Sequence, residues 1–183
     1  AGALLIHYRA HFVGKLAPRA AQIQRDFSGD REELTLSYQT VGTVRNPLGP
    51  TVSIYEDLRA HQDSHRRAEL EARSCLSGPH KDDLAAWIDG QPARQFASQG
   101  QTRTAALSLK LAERELFEDD TGQWPVLLLD DVLSELDARR QDFVLDRITG
   151  GQVFITSCEA PAGEISRGKI LHIHQGALVD SPN

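Results

Sequence analysis

Residues 125–131 read Pro-Val-Leu-Leu-Leu-Asp-Asp, a short apolar run that ends in two adjacent carboxylates. A continuous apolar run of this length is typical of a strand covered on both faces, as in a parallel sheet. Open α/β sheets bind their ligands at the carboxyl ends of such strands. Asp130 and Asp131 are therefore candidates to hold Mg²⁺ on nucleotide phosphates and to orient an attacking water. The alternative is a helix-capping or turn pair at the strand end.

The segments around this run predict an α/β layer architecture from about residue 75 onward. Asp89-Gly90 is a hairpin signal, and it predicts that residues 91–96 return beside the preceding strand. Apolar periodicity and turn residues predict the other elements. These are strands over 84–88, 125–129 and 152–156, helices over 102–117 and 137–148, and a hairpin over 169–179.

The first 74 residues predict a mostly helical segment. Apolar residues recur at helical spacing from Ala1 to about Phe27, and alternation over residues 33–40 predicts a half-buried strand. Residues 54–73 are highly charged and sparsely apolar, which is typical of an exposed helix or a two-helix arm. We therefore predict two regions, an arm over residues 1–74 and an α/β lobe over residues 75–183.

Composition places the chain among globular proteins, with 40% hydrophobic and 25% charged residues. No apolar run approaches the ~18 residues of a membrane span, so we expect no membrane contact. The net charge of −6 argues mildly against a nucleic-acid binder, although a local basic face can still bind phosphates. Two distant cysteines favour a reducing, cytoplasmic compartment. Because the sequence contains no Met, we expect it to be a processed or excised part of a longer protein.

Two polar motifs flank the acidic pair. Ser98-Gln99-Gly100-Gln101 opens a predicted helix, whose free N–H groups can bind an anion such as phosphate. An ordinary capped loop is the alternative. Ser134-Glu135-Leu136-Asp137 follows the pair, and taken alone it is the start of the next helix with Asp137 as N-cap.

The order of these motifs is more specific than any one of them. It resembles the signature loop, Walker B strand and D-loop of the second lobe of ABC-type ATPases. The turn at residues 78–84, Gly-Pro-His-Lys-Asp-Asp-Leu, the Ser-Gln-Gly-Gln signature and the Asp-Asp pair resemble the RecF family of DNA replication, repair and recombination proteins. ABC transporters instead have Leu-Ser-Gly-Gly-Gln, and both transporters and SMC proteins use Asp-Glu.

The resemblance implies an ATPase lobe with a mostly parallel sheet and flanking helices, which acts on ATP bound in a dimer. Ser98 would contact the γ-phosphate of a nucleotide held by the opposite subunit. Three neighbours would support that contact through backbone and amide groups: Gln99, Gly100 and Gln101.

The same resemblance implies the roles of the acidic residues. Asp130 would hold Mg²⁺, usually through water, and Asp131 would stand where other ABC ATPases have the catalytic Glu. Ser134 and Asp137 would form the D-loop across the dimer. Asp131 is one methylene shorter than Glu, and Thr156-Ser157 replaces the switch His of transporters, so we expect slow hydrolysis.

As a whole, the RecF resemblance implies an ATP-dependent homodimer that binds single-stranded and gapped double-stranded DNA. It would assist recombinase loading with partners resembling RecR and RecO. The sequence contains no Gly-x-x-x-x-Gly-Lys-[Ser/Thr] phosphate loop. We therefore expect most nucleotide contacts to come from another lobe, and we expect this chain alone not to hydrolyse ATP.

Two other functions stay open. An SMC- or RecN-like ATPase head is disfavoured because the first 74 residues lack the sustained heptads of a long coiled coil. A non-catalytic interaction module of the same fold is the other. Histidine pairs four residues apart, His7 with His11 and His61 with His65, have metal-ligand spacing but no evident further ligands.

Overall fold

The computed structural model describes residues 1–158 and 168–179, except for the side chain of residue 135. The chain divides into two compact units, Ala1–Pro125 and Val126–Asn183. Strand β1 pairs with β2 across the predicted boundary at residue 74, so both belong to the first unit. The arm-and-lobe division of the sequence stays a prediction.

The first unit contains four helices and a three-stranded antiparallel sheet among the described residues. The helices are α1 (Gly2–Ser28), α2 (Thr51–Ala72), α3 (Ala93–Phe96) and α4 (Gln99–Thr121). The strands are β1 (Leu34–Gln39), β2 (Asp83–Ile88) and β3 (Gln91–Pro92), and a 3₁₀ turn, Pro79–Lys81, precedes β2.

The core of this unit lies along α1, which packs against α4, β1 and α2. Ile6 and Ile23 of α1 are fully buried; the helical spacing of the apolar residues predicts Ile23, whereas Leu5 and Phe12 of the same pattern are exposed. A buried polar link joins the two long helices, because Ser108 Oγ donates a hydrogen bond to Gln24 Oε1 at 2.9 Å. An ion pair between Arg19 and Asp119 adds a second contact near the C-terminal end of α4. Helix α4 is thereby fixed antiparallel to α1.

Helix α2 is one continuous exposed helix. It has 22 residues, of which Ile54 is buried. Ile54 packs in a small cluster with Ala3, Ile6 and Val44. The sequence allowed either one exposed helix or a two-helix arm, and the structure selects the first.

The second unit contains the predicted parallel pair. Strands β4 (Leu127–Asp130) and β5 (Val153–Thr156) are parallel, and α5 (Ala138–Arg147) lies between them in sequence after a 3₁₀ turn at 133–135. Strands β6 (His172–His174) and β7 (Ala177–Val179) form the predicted antiparallel hairpin.

Three local predictions were wrong. The segment 91–96 is a strand only as far as Pro92, because proline has no N–H to donate and α3 begins there. Helix α4 begins at Gln99, three residues before the predicted start. Strand β4 is not covered on both faces, since Leu127 and Leu129 are buried but Leu128 is 70% exposed.

Among the described residues, no helix combines the length and apolar character needed to cross a membrane.

Candidate functional site

Ser98 caps α4 through a reciprocal pair of hydrogen bonds. Its Oγ accepts from the backbone N–H of Gln101 at 3.2 Å, and the side-chain Oε1 of Gln101 accepts from the Ser98 N–H at 2.9 Å. This capping box satisfies one helical N–H and the N–H of the cap itself. The predicted polar loop is therefore the first turn of the helix, and Gln101 is used partly to build that turn.

The capped end can still bind an anion. Ser98, Gln99 and Gly100 are exposed. The Ser98 hydroxyl accepts one bond and keeps its own hydrogen to donate outward. The backbone N–H groups at the start of a helix have no intrahelical acceptors, and the helix dipole favours negative charge there. Since the first turn of α4 contains no acidic residue, nothing in that turn competes with an incoming phosphate.

The surface beside this helix end does not form a nucleotide-sized cavity. A depression of about 160 Å³ is lined by residues in or next to β2, β3, α3 and α4, among them Ile88, Phe96 and Gln101. Small-molecule pockets usually enclose at least ~300 Å³. This end of α4 can therefore contact a single anionic group, but the depression beside it is too small to enclose a whole nucleotide.

Asp130 and Thr156 are direct partners at the carboxyl ends of the parallel strands β4 and β5. Thr156 Oγ1 donates a hydrogen bond to Asp130 Oδ1 at 2.5 Å. The same hydroxyl oxygen accepts from the Asp131 N–H at 3.0 Å, and the Thr156 carbonyl accepts from that N–H at 3.2 Å. One threonine thus contacts both residues of the acidic pair.

Asp131 begins the turn that leads away from β4. Its φ of 53° lies in the left-handed region, where aspartate is among the better tolerated residues. Ser134 Oγ lies 2.6 Å from Asp131 Oδ1 and 2.9 Å from the Asp131 carbonyl oxygen, so its hydroxyl hydrogen is shared between the two acceptors. The Asp131 carboxylate is held by its own turn, whereas that of Asp130 is held from the neighbouring strand.

The acidic pair fits a magnesium ion. Both carboxylates are exposed and each has one oxygen in a hydrogen bond, which leaves the other oxygen for a ligand. Mg²⁺ is usually bound by one or two carboxylates, with waters and substrate phosphates completing an octahedron. Within the described ranges, no group of three or more His, Cys, Asp or Glu side chains could hold a metal, which leaves the two histidine pairs without further ligands.

The predicted D-loop residues both have local structural roles. Asp137 caps α5, since its Oδ1 accepts from the Arg140 N–H at 3.0 Å. The Ser134 hydroxyl donates a hydrogen bond to Asp131. These contacts match the capping alternative for the segment. The predicted contact of both residues across a dimer stays a prediction.

Thr156 is the site residue that the sequence did not identify. In the sequence it stands out only because transporters have a histidine at this place. Its role depends on β5 pairing in parallel register with β4, which places residue 156 beside residue 130. An available signal was the hydroxyl residue at the end of the apolar strand 152–156, since strand ends on one edge share a site.

Comparison with known proteins gives this chain relatives of one family. No protein-family model matches the chain. It is 42% identical over 156 residues to the DNA replication and repair protein RecF of Symbiobacterium thermophilum, covering 85% of this chain and 42% of that protein. The RecF of Bacillus subtilis is 39% identical over 182 residues, covering 93% of this chain and 47% of the relative.

Solved structures give the same result. The recombination mediator protein RecF of the RecFOR pathway, in the form named RecF-ATP, matches with a TM-score of 0.81 and 35% identity over 97% of this chain and 46% of that one. The form named RecF-ATPrS matches with a TM-score of 0.80 and 33% identity. These likenesses confirm the predicted fold, an α/β ABC-type ATPase lobe with a helical N-terminal segment. The chain belongs to the RecF family and spans slightly less than half the length of the RecF proteins it matches.

Proposed function

We propose that this chain is the part of a RecF-type DNA-repair ATPase that completes an ATP site across a homodimer. The observation that carries the proposal is the exposed, capped start of α4, where the Ser98 hydroxyl and two backbone N–H groups are open to an anion. The relatives are named for DNA replication and repair, and one solved relative is named with ATP, which supports ATP as that anion's source.

In this proposal Ser98 binds the γ-phosphate of a nucleotide that the opposite subunit holds. Gln99 and Gly100 donate backbone N–H groups to it, and the Gln101 side chain holds the turn in shape. Because ADP lacks the γ-phosphate, the contact exists only in the ATP state. ATP then acts mainly as a switch between monomer and dimer.

The acidic strand end supplies the metal chemistry. Asp130 holds Mg²⁺ on the nucleotide phosphates, and Asp131 orients the attacking water. Ser134 and Asp137 form the part of the dimer interface next to this pair. Hydrolysis is slow because Asp131 is shorter than glutamate and Thr156 cannot accept or donate a proton as histidine does.

The biological setting of the proposal is DNA repair in the cytoplasm. The dimer binds single-stranded and gapped double-stranded DNA and assists recombinase loading together with RecR- and RecO-like proteins. The RecFOR pathway in the name of the solved relatives supports such partners. On this chain the exposed arginines of α2, among them Arg59, Arg66 and Arg67, are interspersed with acidic residues, so DNA contact must use a local patch.

The test is the solution mass of the full-length protein that carries this chain, measured by light scattering with ATP–Mg²⁺ and with ADP. We expect a dimer with ATP–Mg²⁺ and a monomer with ADP. We expect Ser98→Arg to abolish the dimer, because the arginine side chain fills the position of the phosphate. Ser64→Arg, on the exposed helix α2, adds the same charge elsewhere and should dimerise normally. A mass that ignores nucleotide, or a Ser98→Arg dimer, would contradict the proposal and favour a non-catalytic interaction module.

A further inference from the structure

We propose that Thr156 is a positioning residue for the cation site, and that its hydroxyl sets both the Asp130 carboxylate and the Asp131 backbone for a nucleotide-bound divalent metal. This inference rests on the proposed function, because it assigns a cation to the acidic pair. It adds a residue outside the acidic pair, on the neighbouring strand β5.

The direction of the hydrogen bonds follows from chemistry. A backbone N–H can only donate, so the Thr156 oxygen must accept from the Asp131 N–H at 3.0 Å. The hydroxyl hydrogen is then directed to the Asp130 carboxylate, 2.5 Å away. One hydroxyl therefore forms a relay from the amide of one aspartate to the carboxylate of the other.

This relay determines which oxygens face a ligand. Asp130 Oδ1 is engaged by Thr156, which leaves Oδ2 as the oxygen for a cation. Asp131 is kept in its left-handed conformation because its N–H is shared between the hydroxyl and the carbonyl of Thr156. That conformation turns the Asp131 side chain back to Ser134. Loss of the hydroxyl should therefore loosen both carboxylates while the strand pairing itself remains.

A merely structural threonine would behave differently on substitution. Valine matches threonine in shape and is equally suited to a strand, but it lacks the hydroxyl. Serine keeps the hydroxyl and loses the methyl group. Thr156→Val therefore removes the relay and keeps the packing, and Thr156→Ser is the conservative rescue. Thr149→Val, at an exposed position in the same unit, is the matched control.

The test uses the full-length protein that carries this chain, with Mn²⁺ as the probe, titrated by electron paramagnetic resonance in the presence of ATP. We expect Thr156→Val to weaken Mn²⁺ affinity about 10-fold or more, as is usual when a residue behind a metal ligand is removed. Thr156→Ser and Thr149→Val should stay close to wild type. Amide hydrogen exchange should show faster exchange at Asp131 in Thr156→Val alone, since one of its two acceptors is lost.

The outcomes separate this inference from the proposed function. If wild type binds Mn²⁺ with ATP and Thr156→Val binds it equally well, the positioning role is wrong and the proposed function stands. Faster exchange at Asp131 with unchanged affinity also overturns the positioning role, because the hydroxyl then supports only the backbone. If wild type binds no Mn²⁺ with ATP, both fail. Should Thr156→Val unfold, Thr156→Ala repeats the test with the same expectation.

Discussion

The start of α4 and the end of β4 present two kinds of candidate site. At α4, Ser98 and Gln101 are three residues apart and form their capping box within one helical turn. At β4, the Asp130 carboxylate is held by Thr156, 26 residues later in the chain. The candidate phosphate site is therefore built by local sequence. The candidate metal site exists only when β5 pairs with β4 in the observed register.

The largest effect is expected from Asp130→Asn, which removes the negative charge at the end of β4 and keeps the hydrogen bond from Thr156. Asn at position 130 can still accept the Thr156 hydrogen bond through its amide oxygen, but it is a poor ligand for Mg²⁺. A bound metal contributes several kcal/mol to phosphoryl transfer, so we expect Asp130→Asn to lower kcat at least about 100-fold. Steady-state phosphate release by the full-length protein at saturating ATP measures it. Asp142→Asn on α5 is the charge-matched control, and a loss below tenfold would contradict the metal role.

The next effect separates the two roles of Ser98. Ser98→Ala removes the cap and should lower the free energy of unfolding by about 1 kcal/mol. Ser98→Asp keeps a good cap, so stability should match wild type, but its negative charge repels the γ-phosphate. We expect Ser98→Asp to lose ATP-dependent dimerisation without losing stability. Chemical denaturation and light scattering measure the two properties, and an Asp variant that dimerises with ATP would refute phosphate contact at this residue.

A third substitution, with a stability cost similar to that of Ser98→Ala, tests whether local and long-range hydrogen bonds in the second unit are independent. Asp137→Ala removes the α5 cap and should cost about 1 kcal/mol, as at other N-caps. Because the Asp130–Thr156 contact depends on strand pairing, exchange of the Asp131 amide should not change. Hydrogen exchange measured by NMR reports both the loss of stability in α5 and the exchange rate of the Asp131 amide. Faster exchange at Asp131 would mean that the cap and the strand end are coupled.

The smallest effect concerns a long-range bond in the first unit and appears only at alkaline pH. Tyr38 donates a hydrogen bond to Asp82, and burial together with that carboxylate raises the pKa of Tyr38 to about 12. Since the raised pKa favours the neutral phenol, its stabilisation is complete below the unfolded pKa of about 10 and is lost as pH rises through about 12. Tyr38→Phe should therefore show a smaller fall in unfolding free energy from pH 10 to 12.

Phenolate absorbance provides the control for that experiment. The difference between wild type and Tyr38→Phe should be a single titration near pH 12. An identical pH dependence of stability in the two proteins would mean that the Tyr38–Asp82 bond does not persist in solution.

Local pattern predicted much of the fold correctly. Helix α1, strand β1 and the final hairpin lie where periodicity and turn residues place them. The early start of α4 was also present in the pattern, because Ser98-x-x-Gln101 is a capping-box sequence. The error at β3 has a similar origin, since Pro92 carries its own signal that a strand cannot continue.

The missed features depend on neighbours that are distant in sequence. A continuously apolar run predicts burial of Leu128, but a two-stranded pair buries one face and leaves Leu128 and Phe154 exposed. Gln24 and Ser108 are polar residues inside helical patterns. Their complete burial follows from the packing of α1 on α4, where Ser108 donates to the Gln24 amide oxygen and the Gln24 amide nitrogen donates to Glu32.

The linear order of residues was enough to identify the motifs, the family they resemble and the residue types suited to phosphate and metal. Motif spacing, helix caps and apolar periodicity involve residues that are close together in sequence, so they can be identified without knowledge of the tertiary contacts. Tertiary structure alone decided which oxygen of Asp130 is free and why Asp131 takes a left-handed turn. Thr156 contacts both residues through its hydroxyl and its backbone carbonyl, and it lies beside them only after β5 has paired with β4.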